Sequence, residues 1–262
     1  MQLGISSFTF GWAVQADGFD ENDLLDQALE LGVSLVQFGD NLPLHQFSNS
    51  RLDSLASRAQ REGITLETGA RGLTLPHLQR YVEISRRLNA KLLRFVVDDG
   101  HHEPSTEDII RVLQAAESQL DDVWIGLENH DRFAASTLAQ IIRTIDHPSI
   151  GICLDTANSL GAGEGLTEVL SHLAPLTFNL HIKDFAIERV LHLMGFTVEG
   201  RAAGDGMMNL PYVLSQLEGS PCKSAVLELW TPPKNDINDT VIKEKQWAAR
   251  SIDYLRGFDQ FA

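Results

Sequence analysis

Short β-like runs rich in apolar and β-branched residues alternate along the chain with longer stretches whose apolar positions recur every three or four residues. A run with nothing polar on either side reads as a strand buried on both faces, as in a parallel sheet. The longer recurrence reads as an amphipathic helix. The runs are Leu3 to Phe8, Leu35 to Phe38, Thr65 to Gly69, Leu92 to Val97, Val123 to Glu128, Ile150 to Asp155, Thr177 to Ile182 and Ala225 to Leu229. The helical stretches are DENDLLDQALELG, then Arg51 to Glu62, Leu75 to Leu88, Thr106 to Leu120, Ser136 to Ile145, Leu166 to Leu173, Leu210 to Leu217 and Thr240 to Leu255. In the first of these, Leu24, Leu25, Ala28, Leu29 and Leu31 form an apolar stripe, and Gly32 is a C-terminal stop. An eightfold βα alternation predicts an α/β fold, a (β/α)8 TIM barrel, with a doubly wound open sheet as the competitor. No GxGxxG follows the first run, which counts against the open nucleotide-binding sheet.

Composition narrows the class. A chain of 262 residues with 43% hydrophobic content can bury one large core, and no Pro/Gly/Ser linker breaks it, so one domain spanning 1–262 is expected. Twenty-one Lys+Arg against 36 Asp+Glu give a formal net charge of −15, which argues against a nucleic-acid partner. No apolar run approaches the roughly 18 residues of a membrane span, and MQLGISSFTF lacks the pattern of a targeting segment. Cys153 and Cys222 are the only cysteines and form no CxxC pair. The expectation is a cytoplasmic protein without a membrane partner, with homo-oligomerisation left open.

In a (β/α)8 barrel, chemistry gathers where the strands end, so the residue closing each apolar run is the one to inspect. VWIGLENH closes on Glu128, IGICLDTAN on Asp155, FNLHIKD on His181 and AVLELW on Glu228. Any one carboxylate at a strand end is more often a helix cap or an ion-pair partner than a ligand. Glu, Asp, His and Glu on four successive strands are not expected from independent capping. Together they point to one divalent metal ion. Three carboxylates and an imidazole form an oxygen-rich set suited to Mn2+ or Mg2+, with Co2+ or Zn2+ able to substitute.

These segments together resemble the xylose isomerase-like TIM barrels of sugar isomerases and epimerases: LEN on the fifth strand, LDTAN on the sixth, HIKD on the seventh and a glutamate on the eighth. The resemblance implies that Glu128, Asp155, His181 and Glu228 hold the metal and that Glu128 and Glu228 are the catalytic acid/base pair. The ketose epimerases of that superfamily carry a substrate-binding His three residues after the strand-six Asp. Here that position is Asn158, so substrate contacts are expected to differ there. The run HIKDF, HLMGFTVEG, AGDG and LELWTPP resembles the branch containing 3-oxo-isoapionate decarboxylase.

The chemistry suits such a site. Removing a proton beside a carbonyl, or losing CO2 from a β-keto acid, leaves an enediolate whose charge needs a nearby cation. The sequence therefore points to a metal-dependent enzyme acting on a small carbohydrate or sugar acid through a metal-stabilised enediolate. A sugar isomerase or epimerase is the leading class, and a decarboxylase (lyase) of a 3-oxo sugar acid is the alternative. An endonuclease IV-like nuclease and a non-catalytic sugar-binding barrel rank lower, the first because of the charge.

Other residues surround this quartet. His130 is balanced between substrate contact and loop histidine, and Lys183 between substrate contact and pairing with Glu228 or Asp155. Arg94 and Arg71, where two strands open, could hold a carboxylate bidentately or serve in structural ion pairs. Glu67 is ambiguous between pocket lining and a buried salt bridge. The stretch from Asp184 to Met208 is long for a βα connection and is expected to form a lid, with Arg189 reaching the substrate and the glycines of GRAAGDG forming a hinge or an anion nest. Phe10 and Trp12 are expected as pocket walls.

Overall fold

The computed structural model describes every residue except Asp17, Asp121 and Ala262. Eight parallel strands close into a barrel: β1 (Gln2–Ser6), β2 (Leu35–Phe38), β3 (Thr65–Arg71), β4 (Leu92–Val96), β5 (Trp124–Glu128), β6 (Ile150–Asp155), β7 (Thr177–Ile182) and β10 (Ser224–Leu227). They follow chain order around the ring, and β10 closes it between β7 and β1. Each matches a predicted run. Around them pack α2 (Glu21–Leu31), α3 (Asn49–Glu62), α4 (Leu75–Arg87), α5 (Thr106–Ala116), α6 (Ala135–Ile145), α7 (Leu166–Leu173), α8 (Leu210–Gln216) and α9 (Ile237–Leu255). A short additional helix, α1 (Gly11–Gln15), follows β1.

Parallel pairing requires a crossover after each strand, and the crossover helices bury the outer face of the sheet; this is why the strands carry apolar residues on both sides. Leu24, Leu25 and Ala28 of α2 are fully buried, whereas Leu29 is 46% exposed and Leu31 only half-buried, so the stripe is narrower than predicted. Asp20 caps the start of α2 through the N–H groups of Asn22 and Asp23, and Gly32 ends it at φ +66°, a left-handed conformation that costs glycine nothing. Phe10 is wholly buried and stacks on Phe19, so it belongs to the core rather than to a pocket wall. Trp12 is half-buried and lines a cavity of about 470 Å3 with Trp230 and Pro232.

The long connection expected to form a lid contains an antiparallel hairpin, β8 (Asp184–Arg189) with β9 (Phe196–Arg201). Its glycine-rich continuation does form a nest of N–H groups, but the anion in it is the protein's own. Asp184 Oδ1 accepts from the N–H of Phe185 and Met208, and Oδ2 from those of Gly204 and Gly206, all at 2.8–3.0 Å. A Cβ at Gly206 would stand 2.1 Å from Asp184 Oδ1, so only glycine lets the chain come this close.

Candidate metal centre and active site

Glu128 is the last residue of β5, Asp155 the last of β6, His181 lies near the end of β7, and Glu228 directly follows β10. Lateral register brings them level: Asp155 stands beside His181 on the neighbouring strand, and His181 beside Val226, two residues before Glu228. All four are buried to 2% exposure or less. His181 Nδ1 is the common point, 3.4 Å from Glu228 Oε1, 3.7 Å from Glu128 Oε2 and 3.8 Å from Asp155 Oδ2.

The immediate surroundings hold each group in place. Asp155 Oδ1 accepts from the N–H groups of Ala157 and Asn158 at 2.8 Å, so this carboxylate does cap the following turn while Oδ2 faces the cluster. Asn129 grips the end of β6, accepting from Asp155 N–H at 2.7 Å and donating to its carbonyl at 2.9 Å. Glu128 receives Asn158 Nδ2 at 2.7 Å on Oε1 and Arg94 Nε on Oε2. Glu228 Oε1 accepts from Ser6 Oγ at 2.9 Å. His181 Nε2 is hydrogen-bonded to Gln37 Oε1 at 2.7 Å.

Two cations reach into the cluster. Lys183 Nζ lies 2.8 Å from both Asp155 Oδ2 and Glu228 Oε2, and 3.3 Å from Asn158 Oδ1. Arg94 pairs with Glu128 and, through Nη1 at 2.7 Å, with Asp40. Burial alone would raise the pKa of both glutamates. At Glu128 the charge of Arg94, then that of His181 whenever its ring is protonated, and that of Lys183 oppose it, and at Glu228 those of His181 when protonated, Lys183 and Arg94 do, so both carboxyls lie below the usual range. Lys183 is lowered by burial but raised more by Asp155, Glu228 and Glu128, which holds its ammonium protonated.

The donor set fits a divalent ion. Asp155 Oδ2, His181 Nδ1 and Glu228 Oε2 are buried without a hydrogen bond of acceptable direction, although Lys183 ion-pairs with both oxygens. Asp155, His181 and Glu228 each offer a ligand atom within 4.8 Å of the others, and Glu128, Cys153 and His181 form a second such group. Buried polar atoms left unbonded are costly unless something charged completes them.

Of the expected substrate contacts, Asn158, Lys183 and Arg94 lie inside the cluster, where each is bound to a member of the quartet. His130 is half-buried and paired through Nδ1 with the carboxylate of Asp131. The structure does not bring Arg189 to the site: it is exposed near the hairpin tip, bonded to the Leu193 carbonyl at 2.8 Å and stacked on Phe196. Arg71 and Asp40 form an ion pair at 3.1 Å on the rim. Asp40 was missed by sequence reasoning, although LVQFGD closes on a carboxylate just as the later runs do.

Among the described residues, no helix is long and apolar enough to cross a membrane. Among curated proteins, 3-oxo-isoapionate decarboxylase of Pectobacterium atrosepticum is 29% identical over 261 residues, covering 97% of this chain and 95% of the relative. Among solved structures, a D-psicose 3-epimerase crystallised in the presence of D-fructose superposes with a TM-score of 0.72 at 12% identity, covering 98% of each chain. A xylose isomerase-like TIM barrel protein from Mycobacterium smegmatis in complex with magnesium gives a TM-score of 0.72 at 14% identity over 97% of each chain. Residues 25–258 match the family model described as Xylose isomerase-like TIM barrel. With the closed eight-stranded barrel, this makes the chain a member of the xylose isomerase-like TIM barrel family.

Proposed function

We propose that the protein is a divalent-metal-dependent decarboxylase of a small 3-oxo sugar acid. Glu128, Asp155, His181 and Glu228 would hold the ion, with Mn2+ or Mg2+ favoured by the oxygen-rich donor set and by the magnesium named for the mycobacterial neighbour. When bound, it supplies a Lewis acid that polarises the substrate ketone.

The observation that carries this reading is the charge set around Lys183. With His181 neutral, as a metal ligand must be, Asp40, Glu128, Asp155 and Glu228 face Arg71, Arg94 and Lys183, which leaves one negative charge among these seven charged groups. A divalent ion would reverse that to one positive charge. A monoanionic sugar acid balances it, whereas a neutral ketose does not.

The engagement of the glutamates supports the same choice. Epimerisation requires one carboxylate to take a proton and another to return it. Both oxygens of Glu128 already accept from Arg94 and Asn158, and Glu228 is engaged by Ser6 and Lys183. Decarboxylation requires no base: the carbon–carboxyl bond breaks, its electron pair passes into the ketone as an enolate, and CO2 departs. The Lys183 ammonium, held among these carboxylates, then delivers a proton to the vacated carbon and is reprotonated from solvent. The relationship to 3-oxo-isoapionate decarboxylase over nearly the full chain supports this reading.

A sugar isomerase or epimerase is the second reading, favoured by the two glutamates that approach His181 Nδ1 at 3.4 and 3.7 Å. Incubation in D2O with Mn2+ and a panel of 3-oxo sugar acids and ketoses separates the two. Decarboxylation releases CO2 and places one deuterium on the vacated carbon. Uptake of deuterium at a ketose C–H with the carbon skeleton intact, without CO2 from any acid, would replace it with the epimerase reading.

A further inference from the structure

Below the four candidate ligands, the inside of the barrel holds a second polar layer whose hydrogen bonds share one direction. Gln37 accepts from His181 through Oε1, and its Nε2 donates to Glu67 Oε2 at 3.0 Å and to Asn179 Oδ1 at 3.1 Å. Turning that amide over would aim its oxygen at two acceptors, so the orientation is set from below. Ser224 Oγ donates to Glu67 Oε1 at 2.6 Å and accepts from Asn179 Nδ2 at 2.7 Å. The Cys153 thiol donates to Asn179 Oδ1 at 3.2 Å, which engages its proton although its sulfur lies within ligand reach of Glu128 and His181. All of these side chains are buried, and among the described residues no cation pairs with Glu67. Of the two expected roles for Glu67, the structure gives pocket lining and no salt bridge: it borders a cavity of about 160 Å3 with Thr65, Lys91 and Ser224, where the strands start.

We propose that Glu67 is a positioning residue for the metal centre: through Gln37 it holds His181 with its ring proton on Nε2, so that a bare Nδ1 faces Glu128, Asp155 and Glu228. The inference rests on reading those four residues as ligands. A histidine binds a metal through an unprotonated nitrogen, and the partner of its other nitrogen decides which one that is. The usual arrangement places a carboxylate or carbonyl directly against the ring. Here the carboxylate acts one residue removed, through an amide that can present only oxygen to the imidazole while Glu67 and Asn179 take its N–H groups.

Nitrogen-15 NMR of the metal-free, histidine-labelled protein at pH 8 tests the tautomer directly. The expected result is a proton on His181 Nε2 and none on Nδ1; a proton on Nδ1 overturns the proposal. Mn2+ calorimetry then tests the consequence. Gln37→Leu and Glu67→Ala should weaken binding about 10- to 100-fold. Glu67→Gln, which still offers Gln37 an acceptor, should stay within about threefold of wild type on the same principle. Unchanged affinity in folded Gln37→Leu and Glu67→Ala also overturns it. Absence of Mn2+ binding by the wild type would instead overturn the ligand assignment, and the ring-proton assignment would still decide the relay.

Discussion

Lys183 holds its ammonium 2.8 Å from Oδ2 of Asp155, in a cluster where a buried carboxylate must have a positive partner. The same ammonium is 2.8 Å from Glu228 Oε2, so one side chain neutralises two sides of the candidate metal centre. Lys183→Met should destabilise the metal-free protein by about 3–5 kcal/mol, because it leaves two desolvated carboxylates without their cation. Saturating Mn2+ should recover most of that loss. Denaturant unfolding with and without Mn2+ checks it, and a variant as stable as wild type in the absence of metal would contradict the pairing.

Removal of a ligand should act in the opposite sense on metal response. Asp155→Ala and His181→Ala should each lower Mn2+ affinity by at least about 100-fold, since an incomplete donor set no longer offsets dehydration of the ion. Wild type at 100 times its dissociation constant should gain about 2.7 kcal/mol of stability. Neither variant should show the matching rise in melting temperature, and a full shift in either would remove that residue from the set.

The carboxylate of Asp184 is expected to hold the 202–208 loop in place without touching chemistry. It accepts four backbone N–H groups, and an amide in its place must turn a donor toward some of them. Asp184→Asn should cost about 2–4 kcal/mol, since hydrogen bonds to a charged acceptor are the stronger kind. Amide exchange at Gly204, Gly206 and Met208 should accelerate. Unaltered protection there would show that the loop is held by something else.

Two buried acids make stability depend on pH. Burial pushes the carboxyls of both Glu67 and Glu244 up to about 7 against an ordinary 4.5; Glu244 is placed against the N–H groups of Trp12 and Ala13 at the start of α1. Between those values the folded chain holds more protons than the unfolded one, so stability should fall as pH rises from about 4.5 to about 7 and level off above. The loss amounts to roughly 3 kcal/mol for each acid. Glu244→Gln should flatten its share of the slope in urea unfolding at pH 5 to 8. An unchanged slope would mean that Glu244 ionises normally.

Arg189 provides a control. Its guanidinium is bound within the hairpin to Leu193 and Phe196, so Arg189→Ala should leave kcat/KM within about twofold and stability within about 0.5 kcal/mol. A loss of activity greater than tenfold would place the hairpin over the substrate.

What the sequence determined by itself was the architecture and the positions at which chemistry could occur. A strand buried on both faces is apolar over most of its length, so the barrel strands stood out as mainly apolar or β-branched runs even where Gln37, Glu67, Arg94 or Asn179 interrupts them, and a carboxylate or histidine at the strand end was visible against that pattern. Glu128, Asp155, His181 and Glu228 were legible for that reason. Tertiary structure decided what those groups touch. Pairing of β4 with β5 brings Arg94 onto Glu128 across 34 positions of chain, and only closure of the barrel brings Gln37 from β2 onto His181, across 144. No local pattern records such meetings, because each depends on strand register and not on neighbouring residues. The hairpin was hidden for a related reason: β8 and β9 lie largely in solvent and mix apolar with charged residues, so DFAIER and FTVEGR lack the burial that made the barrel strands readable. The GDG nest was visible as a motif. That its anion is Asp184, some twenty residues earlier in the chain, is a fact that only the folded loop supplies.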